Sequence, residues 1–219
     1  MAVPGVDGSG QGFATLADLL DPAVELDAVD LRGRGAAGTE GPFGVEALAL
    51  DVIALLENRQ EPLAAWLGHS LGGHVVCRVA ADRPDLVPQL VLIDGGPARV
   101  VPAELTPRGL ADLALGNIVP NLASKPYPVS EVAVRADFLS MVADHSSTSA
   151  LAAVEVPVSL IRAGHGMAEG MPPVITDRVV EGLRAAGIEI TDLLVPQATH
   201  FSLLGEHAPH VAATLRSIV

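Results

Sequence analysis

Short apolar runs alternate along this chain with segments of helical spacing, and that alternation restricts its fold more than any other feature. The runs at 64–68, 90–93, 156–161 and 188–195 are rich in Val, Ile, Leu and Ala, and those at 64–68 and 90–93 show none of the polar alternation of a strand facing water on one side. Such runs suit strands buried on both faces, as in a parallel sheet covered by helices. Between them, residues 45–57 place Leu48, Val52 and Leu55 at helical spacing. Further helices are expected at 71 to about 81, at 174–186 with Gly187 as its stop, and at 206–218. Residues 2–3 read as a strand stub, 4–10 as a loop, 12–20 as a helix and 24–29 as a second strand. The expected fold is therefore α/β, a mostly parallel sheet with helices on both faces.

The alternation lapses only between 98 and 150, where helical pieces at 108–115 and 130–142 are punctuated by proline and no strand pattern appears. This stretch reads as a helical insertion within one domain covering 1–219, since neither a repeat nor a linker divides the chain. Hydrophobic residues make up 49% and charged residues 18%, enough apolar material for one sizeable core.

Charge and cysteine content narrow the partners. Thirteen basic against 26 acidic residues give a formal charge of −13, which argues against nucleic acid or an anionic membrane surface. Every apolar run is interrupted before the roughly 18 residues a membrane span needs. The first residues, Met1-Ala2-Val3-Pro4-Gly5, lack the pattern of a secretory leader, so a cytoplasmic location is expected. Cys77 is the only cysteine and reads as a small buried hydrophobe, which leaves no internal disulfide and no multi-cysteine metal site.

The segment that carries chemistry is Gly68-His69-Ser70-Leu71-Gly72, a G-x-S-x-G motif preceded by an apolar strand and followed by a helix. That context puts Ser70 on a tight strand-to-helix turn with its hydroxyl above the sheet, and the flanking glycines leave room where a Cβ would meet backbone.

Through Gly68-His69-Ser70-Leu71-Gly72-Gly73, the turn Asp30-Leu31-Arg32-Gly33-Arg34-Gly35 and the late Thr199-His200, the chain resembles the α/β-hydrolase superfamily over nearly its whole length. Members usually carry two or three further strands before a His-Gly loop. Here Pro4-Gly5-Val6 occupies the place of that loop, so the resemblance implies an N-terminally abbreviated sheet. It also implies that the backbone N–H groups of Val6 and Leu71 form the oxyanion hole, and that the order along the chain is nucleophile, acid, base.

Seven histidines compete for the role of base. His69, inside the motif, is expected to point away from the Ser70 hydroxyl; His74, His207 and His210 read as packing or helix-surface residues. His145 falls in the insertion. His200 follows the last strand by a short loop at the carboxyl edge of the sheet, where ligands collect, and is the expected base, with His165 as its rival. For the acid, Asp94 ends the 90–93 strand, and Glu169 lies late in a glycine-flanked loop. Asp94 placed so early is similar to the arrangement in polyketide-type thioesterases and certain dehalogenases. A local turn-capping Asp is the alternative use of that position.

The expected reaction is attack of Ser70 on a carbonyl carbon, with His200 taking its proton, Asp94 orienting His200, and an acyl-enzyme hydrolysed by water. No cofactor or metal is called for. Serine rather than aspartate as nucleophile argues against dehalogenase or epoxide hydrolase chemistry. The 98–150 insertion is expected to form a mobile lid over an aliphatic pocket, with Leu105, Leu110, Leu113, Ile118, Val134, Phe138, Leu139 and Met141 as candidate lining residues. A carboxylic ester or lactone with an apolar acyl group is the first substrate class. A thioesterase or acyltransferase of natural-product assembly is the second, although an acidic carrier protein would be repelled by a chain of −13. A silent binding protein or accessory cyclase is the third.

Overall fold

The computed structural model describes residues 1–96, 106–143 and 150–218. Five strands, β1 (Ala2–Val3), β2 (Trp66–His69), β3 (Leu90–Ile93), β4 (Val158–Ala163) and β5 (Thr191–Val195), form one sheet in the order of the chain. Every neighbouring pair is parallel. Seven described α-helices accompany them: α1 (Ala14–Leu20), α2 (Val45–Glu57), α3 (Leu71–Asp82), α4 (Pro107–Ile118), α5 (Glu131–Ala143), α6 (Asp177–Ala185) and α7 (Ala208–Ile218).

Strand pleating sorts the apolar residues onto two faces. Leu90, Leu92, Val158 and Leu160 pack with Val52, Val75, Val79 and Phe138 from α2, α3 and α5, whereas Val91, Ile93, Ile161 and Ala163 pack with Leu16 and Leu20 of α1 and Val211 and Leu215 of α7. Alternate residues of one strand thus serve different cores, which is why the 90–93 run lacks polar positions. The expected α/β architecture with helices on both faces is the one observed. Cys77 is buried in the first core.

Two expectations need correction. Residues 24–29 do not form a strand: the contact is a single parallel bridge between Ala2 and Ala28, held by Ala2 N–H to Asp27 and Val29 N–H to Ala2. With only two residues in β1, there is too little backbone for a longer ladder. On α2, Leu55 is 48% exposed, and Ile53 and Leu56 instead join Leu48 and Val52 on the buried face.

Within the 98–150 stretch, α4 and α5 lie against each other, and α5 also meets α2 and α3. Val134 and Phe138 of α5 enter the core, and Leu113 of α4 faces solvent. Residues 97–105 and 144–149, and with them Leu105 and His145, fall outside the described residues. Among the described residues, no helix is long and apolar enough to cross a membrane.

Candidate active site

The loops that leave the carboxyl ends of β1, β2, β3 and β5 meet at one cavity, which Val6, Ser70, Asp94 and His200 all line. A parallel sheet sends all these loops to the same edge, so residues far apart in sequence converge without any long connection.

Ser70 is the sole residue between β2 and α3. Its φ of 54° and ψ of −117° lie outside the usual regions for an L-residue, a conformation that costs on the order of 1–3 kcal/mol. Close packing enforces the turn. A Cβ on Gly68 would stand 2.4 Å from the Gly72 carbonyl oxygen, and one on Gly72 would stand 2.0 Å from that of Val3. On the other side a Cβ on Gly95 would stand 2.2 Å from the Ser70 carbonyl oxygen. The turns after β2 and β3 are thus pressed backbone to backbone, and Ser70 N–H donates to Ile93 O at 3.1 Å.

Asp94 directly follows β3 and is fully buried, with φ 46°, a left-handed value that Asp tolerates better than most residues. One carboxylate oxygen accepts from Ala163 N–H at 3.3 Å, and the other lies 2.7 Å from His200 Nδ1. A carboxylate accepts only, so Nδ1 carries the hydrogen and a neutral His200 presents a bare Nε2. The His200 backbone is fixed by its N–H to Gly166 O at 2.8 Å. Among the described residues no hydrogen bond joins the Ser70 hydroxyl to His200. Both groups face the same cavity, and such contacts often tighten only when the reacting group is in place.

The rival residues lie elsewhere. Glu169 is exposed on the loop after β4, and His165 accepts the Gly170 N–H at Nδ1, 3.2 Å away. Asp30 accepts Gly10 and Ala36 N–H groups and so braces its own turn. Leu71, the first residue of α3, has a backbone N–H with no partner within the helix. Among the described residues Val6 N–H likewise meets no acceptor, so both groups named for the oxyanion hole are open donors.

Two histidines that read as structural in the sequence belong to the site. His69 lines the cavity, and its Nε2 lies 3.1 Å from the His200 carbonyl oxygen, with the two rings 4.7 Å apart. Burial, then the neighbouring His200, pushes the His69 pKa down to about 3. His74, one turn into α3, is buried and also forms part of the wall. Its spacing of four from Ser70 places it on the Ser70 side of the helix, a signal available in the sequence.

Most of the remaining wall is apolar, with Ile118 of α4, Phe138, Met141 and Val142 of α5, and Met167 beside them. The cavity volume is about 40 Å³. Among the described residues no cluster of three or more His, Cys, Asp or Glu side chains is disposed to hold a metal ion.

Comparison with known proteins agrees with this architecture. The family model described as thioesterase domain matches residues 1–219. The chain is 41% identical over 107 residues to a pimeloyl-[acyl-carrier protein] methyl ester esterase of Neisseria meningitidis, a match covering 49% of this chain and 40% of that protein. It is 36% identical over 94 residues to the lipase LipV of Mycobacterium tuberculosis, covering 43% and 36%. The matches thus span well under half the length of these two relatives. In three dimensions it is similar to a thermophilic esterase from Thermogutta terrifontis, with a TM-score of 0.75 at 18% identity over 99% of this chain and 87% of the other.

Proposed function

Because the chain belongs to the thioesterase-domain family, we propose that it is a serine hydrolase that cleaves a carboxylic ester or lactone through an acyl-enzyme. The observation that carries this reading is the His200 Nδ1 to Asp94 contact of 2.7 Å at the cavity that Ser70 also lines. A base held in one tautomer beside a serine on a strained turn is the arrangement that acyl transfer needs.

In this reading Ser70 Oγ attacks the carbonyl carbon while His200 Nε2 accepts its proton. Asp94 stabilises the imidazolium that forms, and the open N–H groups of Val6 and Leu71 receive the oxyanion. Collapse expels the alcohol, which takes the proton from His200. Water then attacks the acyl-enzyme by the same route in reverse, releasing the carboxylic acid and free Ser70. The α4–α5 segment serves as the acyl wall, and its apolar lining favours an aliphatic acyl group.

A thioester is the second reading. The family model favours it, whereas the Neisseria relative is named for cleaving a methyl ester of an acyl-carrier-protein substrate, an oxoester. The formal charge of −13 opposes an acidic carrier as partner. A panel of p-nitrophenyl esters and acyl thioesters, run beside fluorophosphonate labelling, tests both. Turnover of neither class, with no label on Ser70, would leave a binding protein instead.

A further inference from the structure

Arg34 is fully buried, although it lies in the turn between residues 30 and 35 rather than on a strand. Its Nε donates to the carbonyl oxygen of Val6 at 2.9 Å, and Nη2 donates to the same oxygen. Nη1 donates to Arg32 O at 2.9 Å and pairs with the carboxylate of Asp137, whose side chain is as completely buried. The second Asp137 oxygen accepts Gly44 N–H. Asp137 belongs to α5 and immediately precedes Phe138; Met141 follows one turn later, and both line the cavity.

We infer that Arg34 is a positioning residue for the oxyanion donor at Val6 and that Asp137 holds it there. The helix forming the acyl wall thereby also sets the loop that meets the developing negative charge. This rests on the serine-hydrolase reading. Two N–H groups from a rigid planar fork hold the Val6 carbonyl, part of the Val6–Asp7 peptide, and so anchor the Val6 Cα next to the Gly5–Val6 peptide and limit the loop shift that would carry the Val6 N–H off the cavity. Lysine, a point donor on a flexible stem, supplies no such fork.

Stability alone does not account for the pair. Burying two charges costs several kcal/mol per ion, and apolar replacement of a buried pair is often neutral or stabilising. Burial indeed pushes the Asp137 pKa up against the pull of Arg34. The fork is aimed at a carbonyl of the residue that lines the cavity, so its effect should appear where charge develops and not where the substrate merely binds.

The test uses the full chain with two variants, Arg34→Lys and the double variant Arg34→Met with Asp137→Leu, each checked for cooperative thermal unfolding. Initial rates on a short p-nitrophenyl ester and inhibition by an alkylboronic acid, which mimics the tetrahedral intermediate, are measured alongside fluorophosphonate titration of Ser70. The expected result is a kcat per titrated site reduced on the order of 10- to 100-fold. The KM should stay within about twofold, and boronate affinity should fall by a factor similar to that in kcat. A folded double variant with unchanged kcat and boronate affinity overturns the inference, as does a rate loss fully explained by fewer titrated sites. A wild-type chain that takes no label removes the hydrolase reading and this inference together. A labelled wild type with undiminished variants removes this inference alone.

Discussion

His69 Nε2 lies 3.1 Å from the backbone carbonyl of His200, so the residue before the proposed nucleophile holds the main chain of the proposed base. A carbonyl accepts only, which requires the Nε2–H tautomer and leaves His69 Nδ1 bare. The pKa of about 3 keeps the ring neutral in the folded protein throughout the working range.

That neutrality has a stability consequence with a definite sign. The unfolded chain protonates His69 as pH falls below about 6.5, whereas the folded chain resists until about 3. The contribution is therefore fully present above about 6.5 and is lost as pH falls toward 3, on the order of a few kcal/mol. His69→Gln, which keeps a donor but cannot titrate, is expected to flatten the acid limb of stability in that window. Urea midpoints at half-unit steps of pH, compared between the two proteins, check this; equal slopes would refute it.

Ser70 pays in backbone strain for its exposure on the turn, with φ at 54°. Ser70→Ala is expected to abolish fluorophosphonate labelling without relieving that strain. Ser70→Gly should abolish labelling too, and since glycine adopts positive φ freely, it is expected to be about 1 kcal/mol more stable than the wild type. Thermal unfolding separates the variants, and an adduct mapped to any other serine would sink the assignment of the nucleophile.

Much of this arrangement is legible in the sequence because local chemistry dictates it. Leu90–Ile93 reads as a doubly buried strand from composition alone, and the glycines around Ser70 announce backbone contacts that no Cβ survives. What escapes depends on partners remote in the chain. Residues 24–29 have strand-like composition but meet a two-residue β1. The ring of His69 follows the His200 loop, 131 positions away. Arg34 looks like an exposed turn residue until Asp137, 103 positions away, is brought beside it.

The proposed acyl wall invites a specificity test. Met141 lines the cavity but is only partly buried, so shortening it enlarges the pocket with little loss of core. Met141→Ala is expected to shift the preferred ester toward longer chains. Each added methylene that gains burial is worth about 0.8 kcal/mol, roughly fourfold in kcat/KM. Rates across a series from acetate to octanoate check this, with Ser70 labelling as the control. An unaltered chain-length profile would place the acyl pocket elsewhere.

The choice between Asp94 and Glu169 as orienting acid separates by mutation. Asp94 is buried, with one oxygen toward Ala163 N–H and the other toward His200 Nδ1, and Glu169 is exposed. Asp94→Asn keeps the shape and tolerates the φ of 46°. If the Ala163 N–H retains the amide oxygen, the NH₂ faces His200 and makes Nδ1 an acceptor. The ring hydrogen then moves to Nε2, where it blocks acceptance of the Ser70 proton. A loss in kcat on the order of 10⁴-fold is expected, by analogy with the protease triad. Glu169→Gln is expected to change kcat by less than about twofold, as for a surface residue away from the chemistry. Ester turnover of the two variants decides the matter. A large loss in Glu169→Gln with near-normal turnover in Asp94→Asn would reverse the assignment and return Asp94 to a purely structural role at the end of β3.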